Sequence, residues 1–172
     1  MKKAEKQKPQ SLFRDPLFKT MIKLIAIIVV VASLLLNLFT YVTPVIRYYG
    51  DSMSPTLKDG QILVVNKLAN VKEGDVVAFY YNNNVLVRRV VATENQQISI
   101  DIFGTVSVNG AELNEPYVEN KTLGQCNQTF PYTVLPDSYF VLGDNRAVAM
   151  DSRLEEIGVV AEDRLIGKVM FQ

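Results

Sequence analysis

Residues 75–92 read DVVAFYYNNNVLVRRVVA and decide the fold. The first half is rich in valine and aromatic residues, three asparagines follow at 82–84, and a second valine-rich run completes the stretch. β-branched and aromatic residues favour strands, and asparagine tolerates the left-handed backbone of a tight hairpin turn. The stretch therefore predicts a β-hairpin with strands at 75–81 and 85–92.

Similar short runs lie on both sides of this hairpin, and turn residues separate them. The further predicted strands are 61–66, 97–102, 105–108, 139–142 and 165–171, with an Asn109-Gly110 turn after the third. Apart from a short turn at 54–57, no stretch after residue 47 has helical periodicity. Many short strands at this spacing are typical of an antiparallel sheet system closed into a barrel or sandwich. We therefore predict a mainly β fold, an antiparallel β-rich domain over residues 47–172.

An uncharged run of 23 residues, LIAIIVVVASLLLNLFTYVTPVI, precedes this domain from 24 to 46. A helix needs roughly 20 apolar residues to cross the hydrocarbon core of a bilayer. A buried core helix of this length is expected to show a polar stripe, and a cleaved signal peptide has a shorter apolar region followed by small residues. Neither feature is present, since residues 34–39 are bulky. We predict one transmembrane helix at 24–46, which makes the lipid bilayer a partner.

The charges are distributed unevenly, although 18 basic and 18 acidic side chains sum to zero. Residues 1–23 contain seven basic and two acidic side chains, so their net charge is 7 − 2 = +5 and the remainder carries −5. The zero total gives no argument for nucleic-acid binding. Basic residues favour the cytoplasmic side of a membrane. We therefore expect a cytoplasmic tail at 1–23 and an extracytoplasmic domain at 47–172, in a single-pass protein of the cytoplasmic membrane.

The chain has no histidine and one cysteine, Cys126, which excludes several kinds of site. No intramolecular disulfide can form, and one cysteine with scattered carboxylates does not make a zinc site. We expect neither a metal nor a cofactor. A serine nucleophile here could not use a Ser-His-Asp triad. The common alternative pairs the serine with a lysine whose pKa is lowered by burial.

Four short motifs follow the apolar run in a fixed order. They read GDSMSPTL at 50–57, GDVVAF at 74–79, VRRVVA at 87–92 and GDNRAVAMDSR at 143–153. In this order they resemble the motifs of the bacterial type I signal peptidases, which are membrane serine endopeptidases of peptidase family S26. The short chain resembles the Gram-positive branch of that family.

The resemblance implies an enzyme that removes signal peptides from exported preproteins, typically at Ala-x-Ala sites. It places Ser52 at the nucleophile position, where its own backbone N–H would help to stabilise the oxyanion. Gly50 has no hydroxyl, so a second oxyanion donor must come from elsewhere. Met53 and Pro55 belong to the same motif, and we expect Met53 to pack beneath the nucleophile.

Two positions depart from the family pattern. Arg88 stands where the family has its general-base lysine, and Ala149 stands where the family has a serine that orients this lysine. A guanidinium, with a pKa above about 12, cannot accept a proton from Ser52. We do not expect another lysine to replace the base, because activation by burial needs an apolar site. The lysines in question are Lys58, Lys67, Lys121 and Lys168.

The last motif supplies the remaining predicted site residues. They are Asp144, Arg146, Asp151, Ser152 and Arg153. Aspartate and arginine at this spacing can satisfy one another, so we interpret the motif as a salt-bridged loop that supports the site. A charged guanidinium on an apolar strand needs a carboxylate or solvent, and Asp144 or Asp151 is the expected partner of Arg88.

Three functions are compatible with these residues. The first is an active signal peptidase, and the loss of the base predicts that its activity is absent or reduced. The second is a non-catalytic assembly or chaperone factor that binds secreted or pilin-like substrates by strand addition. The third is an active enzyme in which the base lysine was changed to arginine, which does not readily explain Ala149. Exported preproteins or their signal peptides are the expected partners, and the second function adds pilin-like surface proteins.

Overall fold

A computed structural model describes residues 16–170 of the chain, so most of the predicted tail at 1–23 lies outside the described residues. Helix α1 spans Pro16–Val42 and has no buried residue. Its 27 residues reach a mean hydropathy of 2.7 over the best 18-residue window. At 1.5 Å per residue the helix is about 40 Å long, which is sufficient to cross the hydrocarbon core of a bilayer.

The bounds of α1 differ from the predicted 24–46. The helix begins earlier, at Pro16, and ends at Val42, while Val45–Arg47 forms strand β1. Pro44 accounts for the early end, because proline lacks a backbone N–H and disfavours helical geometry at the residue before it. The uncharged run therefore continues from the helix into the first strand of the β domain.

From residue 42 onwards the chain forms a separate compact unit that is built from antiparallel strands. Within the described residues the strands are β1 Val45–Arg47, β2 Ile62–Asn66, β3 Val76–Tyr81, β4 Asn84–Ala92, β5 Gln97–Ile100, β6 Val106–Val108, β7 Ala111–Glu112, β8 Tyr132–Thr133, β9 Ser138–Leu142, β10 Val160–Ala161 and β11 Leu165–Val169. The large sheet has the order β1-β2-β11-β3-β4-β9-β10, and the small sheet has the order β7-β6-β5-β8. The predicted mainly β, antiparallel fold is confirmed.

The β3–β4 hairpin is the centre of the large sheet. Val76 pairs with Arg89 at one end, and Tyr81 pairs with Asn84 at the other. Asn82 and Asn83 form the two-residue turn with φ of 45° and 61°, the left-handed geometry that hairpin turns favour. Because β4 also pairs with β9, its last six residues are buried, and Arg88 is among them.

Three apolar clusters form the core of the β domain. One of them lies under the nucleophile motif, where Met53 and Leu57 pack with Tyr48, Leu63 and Ala78. Met53 is 0% exposed, which confirms that it packs inside the domain. The second cluster joins the small sheet to β9 through residues such as Ile98 and Phe140, and the third lies around Phe79 and Val141. The motif at 50–57 is thus anchored in the core by its own apolar residues.

Candidate active site

Ser52 lies in the turn between β1 and β2, with its hydroxyl oxygen between two side chains. Arg88 Nη1 donates a hydrogen bond to Ser52 Oγ at 2.8 Å. Tyr48 Oη lies 3.1 Å from the same oxygen and accepts the backbone N–H of Met53 at 2.9 Å. Ser52 is half-buried, and its hydroxyl therefore belongs to a network of Arg88, Tyr48 and the Met53 backbone.

Arg88 is buried on β4, with 4% of its surface exposed, because the strand is paired on both sides. Its Nε donates to Met150 O at 2.8 Å, and its Nη1 also donates to Val87 O. Burial lowers the pKa of the guanidinium from its ordinary value, and the nearby Asp151 carboxylate opposes this shift. A guanidinium that donates to three oxygens stays protonated at neutral pH. Arg88 can therefore donate a hydrogen bond to Ser52 but cannot accept its proton.

The prediction that Asp144 or Asp151 pairs with Arg88 is wrong. Asp144 pairs with Arg89 through Nη2 and Oδ2 at 2.6 Å, and Asp151 pairs with Arg153 through Nε and Oδ1 at 2.8 Å. In each pair the arginine donates to both carboxylate oxygens. The guanidinium of Arg88 is left with backbone carbonyls and a serine hydroxyl as its hydrogen-bond acceptors.

The Arg89–Asp144 pair connects all four motifs. Arg89 donates to both carboxylate oxygens of Asp144 and to the backbone oxygen of Gly74. Thr56 in turn donates its hydroxyl proton to Asp144 Oδ2. The guanidinium also lies 4.0 Å from the centre of the Tyr117 ring. Sequence reasoning did not assign Arg89 a role, although a second arginine on a strand that is otherwise apolar is a signal of a buried ion pair.

Residues 143–153 form a salt-bridged loop, as predicted, but only part of the expected pairing occurs. Asp151 and Arg153 pair with each other and are both 0% exposed. Arg146 instead pairs with the buried Glu115, which lies in an irregular segment outside the four motifs. Asp144 and Arg146 thus do not satisfy one another, because each contacts a different part of the chain. Ser152 Oγ accepts the backbone N–H of Val141 at 3.0 Å and attaches the loop to β9.

Ala149 is buried at the point where this loop meets the nucleophile turn. Asn145 donates its backbone N–H to Ser52 O at 3.1 Å, and Ala149 donates its own to Asn145 O at 3.1 Å. A Cβ on Gly143 would lie 2.2 Å from Ala149 Cβ and 2.7 Å from Ser52 O. The loop is thus packed tightly against the backbone of Ser52 but brings no hydroxyl at residue 149. Pro55 lies exposed on the nucleophile turn.

The lysines that could have replaced the base have other surroundings. Lys58 and Lys67 are exposed. Lys121 and Lys168 pair with Glu112 and Asp75 at 2.8 and 2.7 Å. The hydrogen bond from Lys121 to its partner raises the pKa of Lys121, which is opposite to the shift that a base requires. No cluster of three or more metal-binding side chains occurs among residues 16–170.

Comparisons with known proteins agree with these motifs. The Peptidase_S26 family model, described as "Signal peptidase, peptidase S26", matches residues 19–172. Signal peptidase IB of Staphylococcus aureus is 36% identical over 143 residues, which cover 72% of this chain and 73% of that protein. Signal peptidase I T of Bacillus subtilis is 34% identical over 158 residues, which cover 84% and 80% of the two chains.

A solved structure has the same fold. The crystal structure of a signal peptidase I from Enterococcus faecalis superposes with a TM-score of 0.51 at 25% sequence identity. The match covers 59% of this chain and 98% of that one. The order of the motifs, the antiparallel fold and the family match all lead to one conclusion: this chain belongs to the signal peptidase family S26.

Proposed function

We propose that this protein is a membrane-anchored, signal-peptidase-like binding protein that recognises exported preproteins and cleaves them slowly or not at all. The observation that carries this proposal is the hydrogen bond of 2.8 Å from Arg88 Nη1 to Ser52 Oγ. It puts a permanent proton donor where the family resemblance implies a proton acceptor.

The chemistry explains why this exchange affects cleavage. A serine hydroxyl attacks a carbonyl efficiently only when a positioned base removes its proton in the transition state. General-base catalysis contributes a factor of roughly 10²–10⁴ to the rate. Ala149 adds to the loss, because the resemblance implies a serine there to orient the base. With both groups absent, the binding surface of the family persists without its proton transfer.

The proposed ligand is an extended segment with small residues at the family's Ala-x-Ala positions. Strand β1 is the end strand of the large sheet, and the chain runs from it directly into the nucleophile turn. An extended peptide can add to such an edge through backbone hydrogen bonds. Exported preproteins and their signal peptides are the proposed partners, and pilin-like surface proteins are a narrower class of the same kind.

The proposed location is the cytoplasmic membrane. Helix α1 is long and apolar enough to span a bilayer once. The excess of basic residues before the uncharged run supports a cytoplasmic N-terminus, which would place the β domain on the outer side. Cysteine labelling of the full chain in intact cells tests this orientation, with Cys126 replaced by serine and one cysteine introduced at residue 70 or at residue 10. Labelling of the residue-10 variant alone by a membrane-impermeant reagent would contradict a cytoplasmic N-terminus.

Cleavage of a reporter preprotein with an Ala-x-Ala site tests the catalytic part of the proposal. The full chain in detergent is compared with Ser52→Ala, with Arg88→Lys and with the double variant Arg88→Lys/Ala149→Ser. We expect no cleavage by the natural chain within the time in which the double variant reaches completion. Binding of the uncleaved reporter is measured in parallel, because the proposal requires that it persists.

Two results would contradict the proposal. Cleavage by the natural chain as fast as by the double variant, abolished by Ser52→Ala, would show that another group accepts the serine proton. Tyr48, whose Oη lies 3.1 Å from Ser52 Oγ, would then be the first residue to replace. Absence of reporter binding by the natural chain, at concentrations where the double variant binds and cleaves, would remove the proposed recognition role.

A further inference from the structure

Arg88 differs from the other buried arginines of this domain in its hydrogen-bond partners. Four arginines are buried among residues 16–170. Three of them pair with carboxylates, in the pairs Arg89–Asp144, Arg146–Glu115 and Arg153–Asp151. Arg88 hydrogen-bonds to uncharged oxygens alone. It is therefore a buried cation without an ion-pair partner in the described part of the chain.

The charges around Ser52 confirm this excess. The side chains that act electrostatically on Arg88 are, from the largest effect to the smallest, Asp151, Tyr48, Arg153 and Asp144. Each of the two carboxylates is already paired with its own arginine. The cluster of Arg88, Arg89, Arg153, Asp144 and Asp151 contains three positive and two negative groups, a net charge of 3 − 2 = +1. A buried charge is costly unless it is paired and hydrogen-bonded, so this site is suited to a bound anion.

The guanidinium also has hydrogen-bond donors to spare. It carries five N–H groups. The Nε–H goes to Met150 O, and the two on Nη1 go to Ser52 Oγ and Val87 O. Among the oxygens of residues 16–170, none accepts a hydrogen bond from Nη2. Ser52 Oγ accepts from Arg88, and in its contact of 3.1 Å with Tyr48 Oη either oxygen can be the donor. When Tyr48 donates, the Ser52 hydroxyl keeps its own proton for a further acceptor. Two neighbouring groups can therefore donate to one anion.

We propose that the Ser52–Arg88 site binds the free α-carboxylate of a peptide that ends in small residues. The assignment of a peptide as ligand rests on the proposed function, whereas the preference for a carboxylate rests on the unpaired guanidinium. An arginine N–H forms a charge-assisted hydrogen bond to a carboxylate, and here Nη2 can donate to one carboxylate oxygen while the Ser52 hydroxyl donates to the other. The ligand is then a segment that another peptidase has already cut, such as the released end of a signal peptide. Arg88 would bind the α-carboxylate that this cleavage creates.

The choice of an α-carboxylate over an internal peptide bond follows from charge. An uncut preprotein presents a neutral carbonyl at this position and leaves the guanidinium unpaired. A chain end presents a carboxylate and neutralises it. A hydrogen bond to a charged group contributes roughly 1.5–3 kcal/mol, which is about a ten- to a hundredfold gain in affinity.

Binding of matched peptides to the full chain in detergent tests this inference. The first peptide ends in Ala-x-Ala with a free carboxylate, the second is its C-terminal amide, and the third continues beyond the same site. A fourth, amidated peptide carries aspartate as its last residue and supplies a side-chain carboxylate instead. We expect the first to bind about ten- to a hundredfold more tightly than the others, by fluorescence anisotropy with a label at the N-terminus.

Three variants test whether the preference for the free acid arises at Arg88. Arg88→Gln is expected to abolish the preference for the free acid over the amide. Lys58→Gln removes one positive charge from an exposed turn of the same domain and is expected to keep the preference. Ser52→Ala is expected to keep most of it, because the charge resides on Arg88. Equal affinity of the natural chain for acid and amide would overturn the inference whatever the variants do, and equally tight binding of the aspartate peptide would overturn the choice of the α-carboxylate.

The outcomes separate this inference from the proposed function. If the longer peptide binds uncleaved and the free acid binds no more tightly than the amide, the proposed function is supported and the carboxylate site is refuted. If the free acid binds more tightly while the natural chain cleaves the reporter preprotein as fast as the double variant, the carboxylate site is supported and the proposed function is refuted.

Discussion

Replacement of Arg153 by methionine removes one half of an ion pair that is fully enclosed. Arg153 and Asp151 are both 0% exposed at their side chains. Arg153 contacts both oxygens of Asp151 and donates to the backbone oxygens of Leu123, Arg146 and Ala149. Methionine fills much of the same volume but leaves the carboxylate without its counter-ion. Loss of one partner of a buried pair costs about 3–5 kcal/mol.

This magnitude predicts a large and measurable shift. For a β domain of this size, 1 kcal/mol corresponds to roughly 3–4 °C, so Arg153→Met is expected to lower Tm by about 9–20 °C. The chain has eight tyrosines and no tryptophan, so near-ultraviolet circular dichroism of tyrosine follows the tertiary structure. All tyrosines but Tyr41 lie after residue 47, whereas the far-ultraviolet signal also contains helix α1.

Two further variants make the test specific. Lys121→Met breaks an ion pair whose side chains are 38% and 62% exposed, and it is expected to lower Tm far less than Arg153→Met because solvent screens the pair. Asp151→Asn/Arg153→Met removes both charges of the buried pair. Its loss of unfolding free energy is expected to be at least about 1 kcal/mol smaller than the summed losses of Asp151→Asn and Arg153→Met measured singly. If Arg153→Met costs no more than Lys121→Met, the reasoning on buried pairs is refuted for this domain.

Three other expectations follow from the packing, the charges and the turn geometry. Gly143→Ala places a Cβ 2.2 Å from Ala149 Cβ and 2.7 Å from Ser52 O. It should cost about 1–3 kcal/mol in thermal unfolding and weaken peptide binding, and unchanged values of both would contradict the tight contact. Burial, with the neighbouring Glu115, raises the pKa of Tyr117. The neutral phenol therefore contributes stability that is fully present below about pH 10 and lost as the pH rises through the folded-state pKa. Tyr117→Phe should make Tm fall less steeply above this pH, and an equal slope in both proteins would exclude the effect. At Asn83, with φ of 61°, alanine should cost about 1 kcal/mol and glycine almost nothing, and equal Tm values for the two variants would argue against the left-handed turn.

The strands that the sequence predicts well are those with a strong local pattern. The hairpin at 75–92 is recognisable because β-branched and aromatic residues flank asparagines, which adopt the left-handed backbone of its turn. Strands β7, β8 and β10 have two residues each, and two residues carry no periodicity. The uncharged run predicts a helix as far as Ile46, whereas Val45 and Ile46 belong to strand β1, because valine and isoleucine suit both a membrane span and a strand. Pro44 was the signal that separates them.

For the site, too, the sequence motifs predict which residues take part, but they do not predict which side chains pair with one another. The motifs identified Ser52, Arg88 and Ala149, and the structure brings them to adjacent positions at the meeting point of β4 and the 143–153 loop. Which arginine pairs with which carboxylate depends on distances in space, and the motif spacing therefore misassigned Asp144. Glu115 gave no signal at all, because it lies in an irregular segment and pairs across 31 residues of sequence.

The hydrogen bonds of the Arg88 guanidinium also affect whether this position can return to lysine during evolution. Its hydrogen bonds to Met150 O, Val87 O and Ser52 Oγ are made at once by one rigid group, which the flexible ammonium of lysine does not reproduce. A lineage that exchanged Arg88 for lysine alone would lose this arrangement and still lack the hydroxyl at residue 149. The first of the two steps would therefore bring a loss without a gain, so natural selection would tend to preserve arginine once both residues had changed.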